Sequence, residues 1–202
     1  MVWNEVALNR NDPREQKRMA VLRSGARLFN ARGFDRTSLD DIASELNVSK
    51  RTLYYYVKNK DDILFECNRL ALEFMQETMD NSQNLDVPPL ERLAIFMASY
   101  MDLLSNEFGA CLALSKDRVL SDDSRKILRN GRRKLDQAVR ELIEQGVADG
   151  TIAPCEPKLA AAALFGAFNW VPHWHNDGNR DAYANIADNF LRIFLEGLRA
   201  RS

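Results

Sequence analysis

The sequence predicts an all-α fold of about nine helices. Three observations carry that expectation. Apolar residues recur at helical spacing through most of the chain, no segment alternates apolar and polar residues as a half-buried strand would, and helix start and stop residues mark off the periodic stretches. With 202 residues, 46% hydrophobic and 28% charged, the chain can bury a core without metals or disulfides.

The elements follow in order. Asp12-Pro13-Arg14-Glu15 is a helix start, with Asp as N-cap, Pro in the first helical position and Glu in the first turn. The helix places Leu22, Ala26 and Phe29 on one face and stops at Gly33. Thr37 or Ser38 caps a short second helix, with Asp40 and Asp41 in its first turn and Leu39, Ile42, Ala43 and Leu46 inward. A tight turn at Asn47-Val48 leads to a third helix capped by Ser49. The fourth opens at Asn59-Lys60-Asp61-Asp62, carries Ile63, Leu64, Cys67, Leu70, Ala71, Phe74 and Met75 inward, and runs out in the polar "DNSQNLDVPP".

Beyond residue 88 the period stays helical. Leu93, Phe96, Met97, Tyr100 and Leu104 define one helix, and a shorter one follows near Phe108. Ser121 caps a long helix with Leu128, Leu135, Val139, Leu142 and Ile143 inward, closing at Gly150. An Ala-rich helix is expected from Pro157 to Trp170, broken by Pro172 and the "HNDGN" run. A last amphipathic helix carries Ile186, Phe190, Ile193, Phe194 and Leu198.

Composition narrows the function. No apolar run reaches the roughly 18 residues a membrane span needs, so no membrane partner is expected. The N-terminus lacks a secretory h-region, and Cys67, Cys111 and Cys155 form no CxxC, which together point to the cytoplasm. No Gly-rich phosphate loop, GxSxG or HExxH occurs, so neither an enzyme nor a cofactor is expected. His173 and His175 form an HxH pair too isolated from other ligands to make a metal site. Charge is uneven. Residues 1–60 carry 12 basic and 7 acidic side chains, a balance of +5, against 16 and 22, or −6, in 61–202. A basic head on an acidic body suits a polyanionic partner.

The third helix shows how such a partner would be met. At 100° per residue Leu53 and Val57 fall on one face, and Arg51 and Tyr55 fall opposite, flanked by Thr52 and Tyr54, with Tyr56 at the border. Lys50 stands at the helix start, and Lys58 and Lys60 beyond its end. Two short helices joined by a tight turn, the second exposing an arginine and hydroxyls, make a helix-turn-helix over about 38–57 whose second helix suits the DNA major groove. Arginine offers a planar donor fork to guanine, hydroxyls reach phosphate or thymine edges, and lysines meet phosphates as point charges.

The stretch "RTSLDDIASELNVSKRTLYYYVKNKDDIL" resembles the DNA-binding head of the TetR/AcrR family of bacterial transcriptional regulators. The likeness runs over about residues 15–65; Tyr56-Val57 departs from the His-Phe common in the family. The resemblance implies a homodimeric repressor, with a DNA-binding domain at 1–60 and an effector-binding and dimerisation domain at 61–202, acting on a palindromic operator in double-stranded DNA. Thr37 would bind phosphate; Ser49, Lys50, Arg51 and Thr52 would lie at the groove; Tyr54, Tyr55 and Tyr56 would meet bases and phosphates; and Lys60 would fix the backbone.

In the body, Phe96, Tyr100, Leu104 and Phe108, with Phe165, Trp170 and Trp174, are candidates for a hydrophobic effector pocket. The last two helices mix Ala160 to Ala163, Gly166, Ala167 and Gly197 with large residues, and Leu164, Phe168, Phe190 and Phe194 are candidates for the dimer interface. "NWVPHWHNDG" resembles the C-terminal region of TetR-family regulators that respond to acyl-CoA thioesters, which implies an acyl slot with Arg129, Arg132 and Arg133 as candidates for its anionic headgroup. A sensor of drugs or aromatic metabolites would use the same slot without those arginines. A DNA-binding or interaction protein without an effector is the remaining alternative.

Overall fold

The structure, a computed structural model, describes residues 12–114, 117–175 and 179–198. Its helices are α1 (Pro13–Arg32), α2 (Leu39–Glu45), α3 (Lys50–Leu53), α4 (Lys60–Ser82), α5 (Pro89–Leu104), α6 (Glu107–Leu114), α7 (Asp122–Ala148), α8 (Pro157–Trp174) and α9 (Arg180–Leu198), with a 3-10 turn at Asp117–Val119. No β-strand occurs among the described residues, and the fold is all-α as the sequence predicts. They divide into two compact units. One comprises the chain up to Phe74 together with Asn106–Arg129; the other comprises Met75–Ser105 and Asn130 onward. A cut after residue 60 does not follow this packing, because the first four turns of α4 and all of α6 belong with the N-terminal elements.

In the first unit the local signals act as the sequence implies. The Asp12 carboxylate accepts from the Arg14 amide at 2.9 Å, so α1 starts on its cap. It stops at Gly33, whose φ of 86° lies in the region glycine tolerates and most residues avoid. Ser38, not Thr37, caps α2, and the cap is reciprocal: Ser38 Oγ accepts from the Asp41 amide while Asp41 accepts from the Ser38 amide at 2.7 Å. Asn47 turns the chain into α3 with a φ of 54°, a conformation Asn adopts more readily than a branched residue. α1 lies against α6 and α2, and α2 against α3. Leu22, Ala26, Ile42, Leu53, Ile63, Leu64, Cys67 and Phe108 are fully buried. Each large side chain among them contributes roughly 1.5–3 kcal/mol relative to exposure. The approach of α1 to α4 depends on Gly25, where a Cβ would stand 2.5 Å from Ile63 Cγ2.

In the second unit α5 is the central helix, packed on α9 and α8. Its buried face carries Leu93, Phe96, Met97, Tyr100, Leu103 and Leu104, and α7 contributes Leu135, Val139, Leu142 and Ile143, the residues its periodicity marks. α8 departs from expectation. It continues a turn beyond Trp170 with Pro172 inside it. A proline this close to the C-terminus forfeits one hydrogen bond while the next, from the His175 amide to the Val171 carbonyl at 2.9 Å, still forms. Ile193, one of the apolar residues that α9 carries, is 64% exposed.

Candidate nucleic-acid interface

The α2–α3 motif is held by its inward residues, which leave the rest free to face outward. Leu53 is fully buried and Val57 nearly so, as the helical phase requires. Helix α3 proper is a single turn, Lys50–Leu53. Tyr55 and Tyr56 follow in tighter turns, their amides donating to the Thr52 and Leu53 carbonyls. Ser49 Oγ caps the turn by accepting from the Thr52 amide at 3.1 Å, and the two hydroxyls lie 2.8 Å apart.

The outward face carries Lys50, Arg51, Thr52, Tyr54 and Tyr55, all exposed. Arg51 makes no hydrogen bond or ion pair among the described residues. Tyr54 and Tyr55 are 54% and 63% exposed, large for aromatic rings in a folded unit. Tyr55 packs edge-on against Tyr56 at 5.1 Å and under the Arg14 guanidinium at 5.0 Å, which fixes its ring without covering it. The Lys50 ammonium reaches Asp40 of α2 at 2.7 Å, and that hydrogen bond and the carboxylate's charge raise its pKa.

Two residues expected at phosphates have internal work. Thr37 is 1% exposed, and its hydroxyl points at the Gly33 and Leu28 carbonyls at 3.0 and 3.3 Å. It ties the α1 terminus to the start of α2, so its side chain leaves the set of outward candidates. The half-buried Lys60 ammonium donates to the Phe34 and Thr37 carbonyls at 3.0 and 3.2 Å and lies 4.3 Å from the Phe34 ring centre. Carbonyls left by a loop entering α2 acquire a cation, and one of its three donors remains for another acceptor. Neither role is visible in the sequence, because both partners are backbone atoms more than twenty residues away or across a helix end.

The residues expected to line a pocket separate. Phe96, Tyr100 and Phe165 come together, with ring centres 6.5 and 5.5 Å apart along the series, and the Tyr100 hydroxyl donates to Asn169 at 2.5 Å. Burial pushes the Tyr100 phenol far above its ordinary range, against the charge of Arg132 and the Asn169 hydrogen bond. Leu104 is core of the same unit, whereas Phe108 belongs to the first unit. Trp170 and Trp174 are 63% and 54% exposed on one face of α8. Arg129 belongs to the first unit, Arg132 lies toward Tyr100, and Arg133 borders an open groove with Gln76, Asp80 and Lys134. Leu164 and Phe168, expected at an interface, are core; Phe168 meets the half-buried Phe190 at 5.6 Å. The Asn176-Asp177-Gly178 part of the C-terminal pattern lies outside the described residues.

A helical head with a capped two-helix motif and an outward basic, aromatic face defines a helix-turn-helix regulator of transcription. The profile described as bacterial regulatory proteins of the tetR family matches residues 21–67, and the one described as a tetracyclin repressor-like C-terminal domain matches residues 86–198. The chain belongs to the TetR family, and it is a DNA-binding regulator rather than an enzyme. It is similar to the HTH-type transcriptional regulator HbdR of Aromatoleum sp. (strain CIB), 26% identical over 168 residues that cover 81% of this chain and 73% of that protein. Its fold matches the ketosteroid transcriptional regulator KstR2 of Mycobacterium tuberculosis at a TM-score of 0.83 and 18% identity, over 92% of this chain and 96% of that one. It also matches AibR, solved in complex with isovaleryl coenzyme A and operator DNA, at a TM-score of 0.76 and 24% identity, over 88% and 97% of the two chains. No helix among the described residues is long and apolar enough to cross a membrane.

Proposed function

We propose that the chain is a cytoplasmic, homodimeric repressor that docks α3 in the major groove of a palindromic operator and is released by a hydrophobic effector of the acyl-CoA class. The observation that carries the docking is the unpartnered Arg51 between exposed Thr52, Tyr54 and Tyr55 on a face whose opposite side is fully buried. Arg51 reads a guanine edge, the hydroxyls and Lys50 contact phosphates and neighbouring bases, and Ser49 and Tyr56 hold that surface in shape. Purified protein should bind duplex DNA from its own promoter region at low salt and lose affinity steeply as salt rises. Indifference to that DNA would refute the reading.

Dimerisation is supported by an apolar stripe at helical spacing on α8, namely Leu159, Ala163, Gly166, Trp170 and Trp174, all exposed in the single chain. Ile193 and the half-buried Phe190 and Phe194 carry apolar surface on α9. The small residues at 163 and 166 would allow a twofold copy to approach closely. Gly166→Arg should turn the dimer into a monomer by sedimentation.

For the effector, the support is AibR's bound isovaleryl coenzyme A and the Trp170-x-x-x-Trp174 pattern, with Arg132 and Arg133 as cations for a headgroup. The filled Phe96–Tyr100–Phe165 cluster favours the alternative of a regulator without effector, since a slot there requires the rings to part. Titrating the DNA complex with a long-chain acyl-CoA, the free fatty acid and a cationic dye separates the readings. Release by the acyl-CoA supports the proposal, release by the dye alone assigns a drug sensor, and release by none leaves the effector-free regulator.

A further inference from the structure

Lys50 is the first residue of α3, directly after the Ser49 cap, and its ammonium donates to the Asp40 carboxylate of α2 at 2.7 Å. Both side chains are exposed, Asp40 at 66% and Lys50 at 46%. An ion pair so open to solvent contributes little to folding stability, so stability does not account for it. Capping does not need Asp40 either, because the α2 cap is closed by Ser38 and the neighbouring Asp41. What the pair does is geometric. A lysine is a point charge on a flexible four-carbon stem, and left alone it follows the nearest phosphate. Tied to Asp40, the ammonium is confined to one place beside the first turn of α3. The tether takes one of its three donors and leaves the others for acceptors outside the chain.

In helix-turn-helix docking, the residues at the N-terminal end of the recognition helix are the ones that reach base edges. Lys50 stands at that end. A lysine held there meets guanine O6 and N7, whereas a free one goes to phosphates, which carry no sequence information. We propose that Asp40 is a positioning residue: by holding Lys50 it makes that lysine a second reader of base edges beside Arg51 and withdraws it from the phosphates. The carboxylate also repels DNA of every sequence alike, so it lowers non-specific affinity while the specific contact is kept. The inference rests on the DNA-binding reading and assigns the residues that set its specificity.

The test is selection of duplexes from a random-sequence pool by the whole chain, then titration of the selected duplex and its scrambled version across salt concentrations. Asp40→Asn, its fold checked by circular dichroism, should bind the scrambled duplex more tightly than the wild type does. Its slope of log affinity against log salt should steepen by about 0.9, as Lys50 takes up a phosphate. Its preference for the selected duplex over the scrambled one should fall about fivefold or more. The base position it relaxes should be the one that Lys50→Gln relaxes and not the one that Arg51→Ala relaxes. In a Lys50→Gln background, Asp40→Asn should leave the preference unchanged, since only the general repulsion is then removed. An unchanged preference or salt slope in Asp40→Asn, or the same loss of preference in the Lys50→Gln background, would overturn the proposal alone. A wild type that enriches no sequence would refute the DNA-binding reading, and the proposal with it.

Discussion

Arg51 and Lys60 carry the same charge and do different work. Arg51 makes no hydrogen bond or ion pair among the described residues, so Arg51→Ala should leave thermal stability unchanged while costing roughly 1–3 kcal/mol on the correct operator and relaxing one base position. Lys60→Ala removes the cation that the Phe34 and Thr37 carbonyls share, so it should lower the melting temperature and weaken binding to every sequence alike. Thr37→Val should cost about 1–3 kcal/mol of stability by the same logic, with Thr37→Ser recovering most of it, measured by denaturant unfolding. Glu66 gives the pH dependence. Burial would raise its carboxyl, but hydrogen bonds from Arg69 and Arg18, the latter at 2.5 Å, and their charges hold it below the ordinary range. A depressed folded-state pKa contributes stability that is present above the ordinary glutamate value and lost as pH falls through the lower folded value. Melting temperature should therefore drop with acid through that window, and less so in Glu66→Gln. Cys67 and Cys111 are buried with thiols pushed up, Cys111 to about 12, and Cys155 is partly exposed. A thiol reagent should count one cysteine in the native protein and all three after denaturation.

Among elements, the contrast is between helices whose ends and faces are written locally and those whose faces are not. α1, α2 and α3 were legible because Asp12, Ser38 and Ser49 cap them and Gly33 and Asn47 turn the chain, all short-range chemistry. α7 was legible because its apolar residues alternate with charges at a clear period. α8 is apolar on nearly every side, so spacing alone could not say that Leu164 and Phe168 face the core while Trp170 and Trp174 face out. Thr37 and Lys60 misled for another reason: their partners are carbonyl groups, and every residue has one. The α1–α4 crossing, invisible in the sequence beyond a glycine in a helix, yields a sharp test. Gly25→Ala should cost about 1–3 kcal/mol as overpacking against Ile63 Cγ2. Combined with Ile63→Ala it should cost less than the sum of the two single changes, because the second removes the methyl that the first strikes.

At the scale of the whole molecule, the basic residues 1–60 and the acidic remainder set how the protein meets DNA, and the proposed effector would act on that meeting through a free energy common to both ligands. If an acyl-CoA weakens operator binding by some factor, saturating operator must weaken acyl-CoA binding by the same factor. Calorimetry with and without operator should show that reciprocity, and equal affinities would exclude release by this route. The division of the chain adds a consequence of another kind. Passage from one unit to the other occurs inside α4 at residue 74, between α5 and α6, and inside α7 at residue 129. A protease nick in a loop therefore cannot free a self-sufficient reading head, and a peptide ending at residue 60 leaves Ile63, Leu64, Cys67 and Phe108 behind with the rest of the chain. Swapping heads between relatives by a single crossover there would strand half of a hydrophobic core on each parent. A chimera keeps its core whole only if it also carries the segment 106–129, so the reading head is inherited as a discontinuous piece.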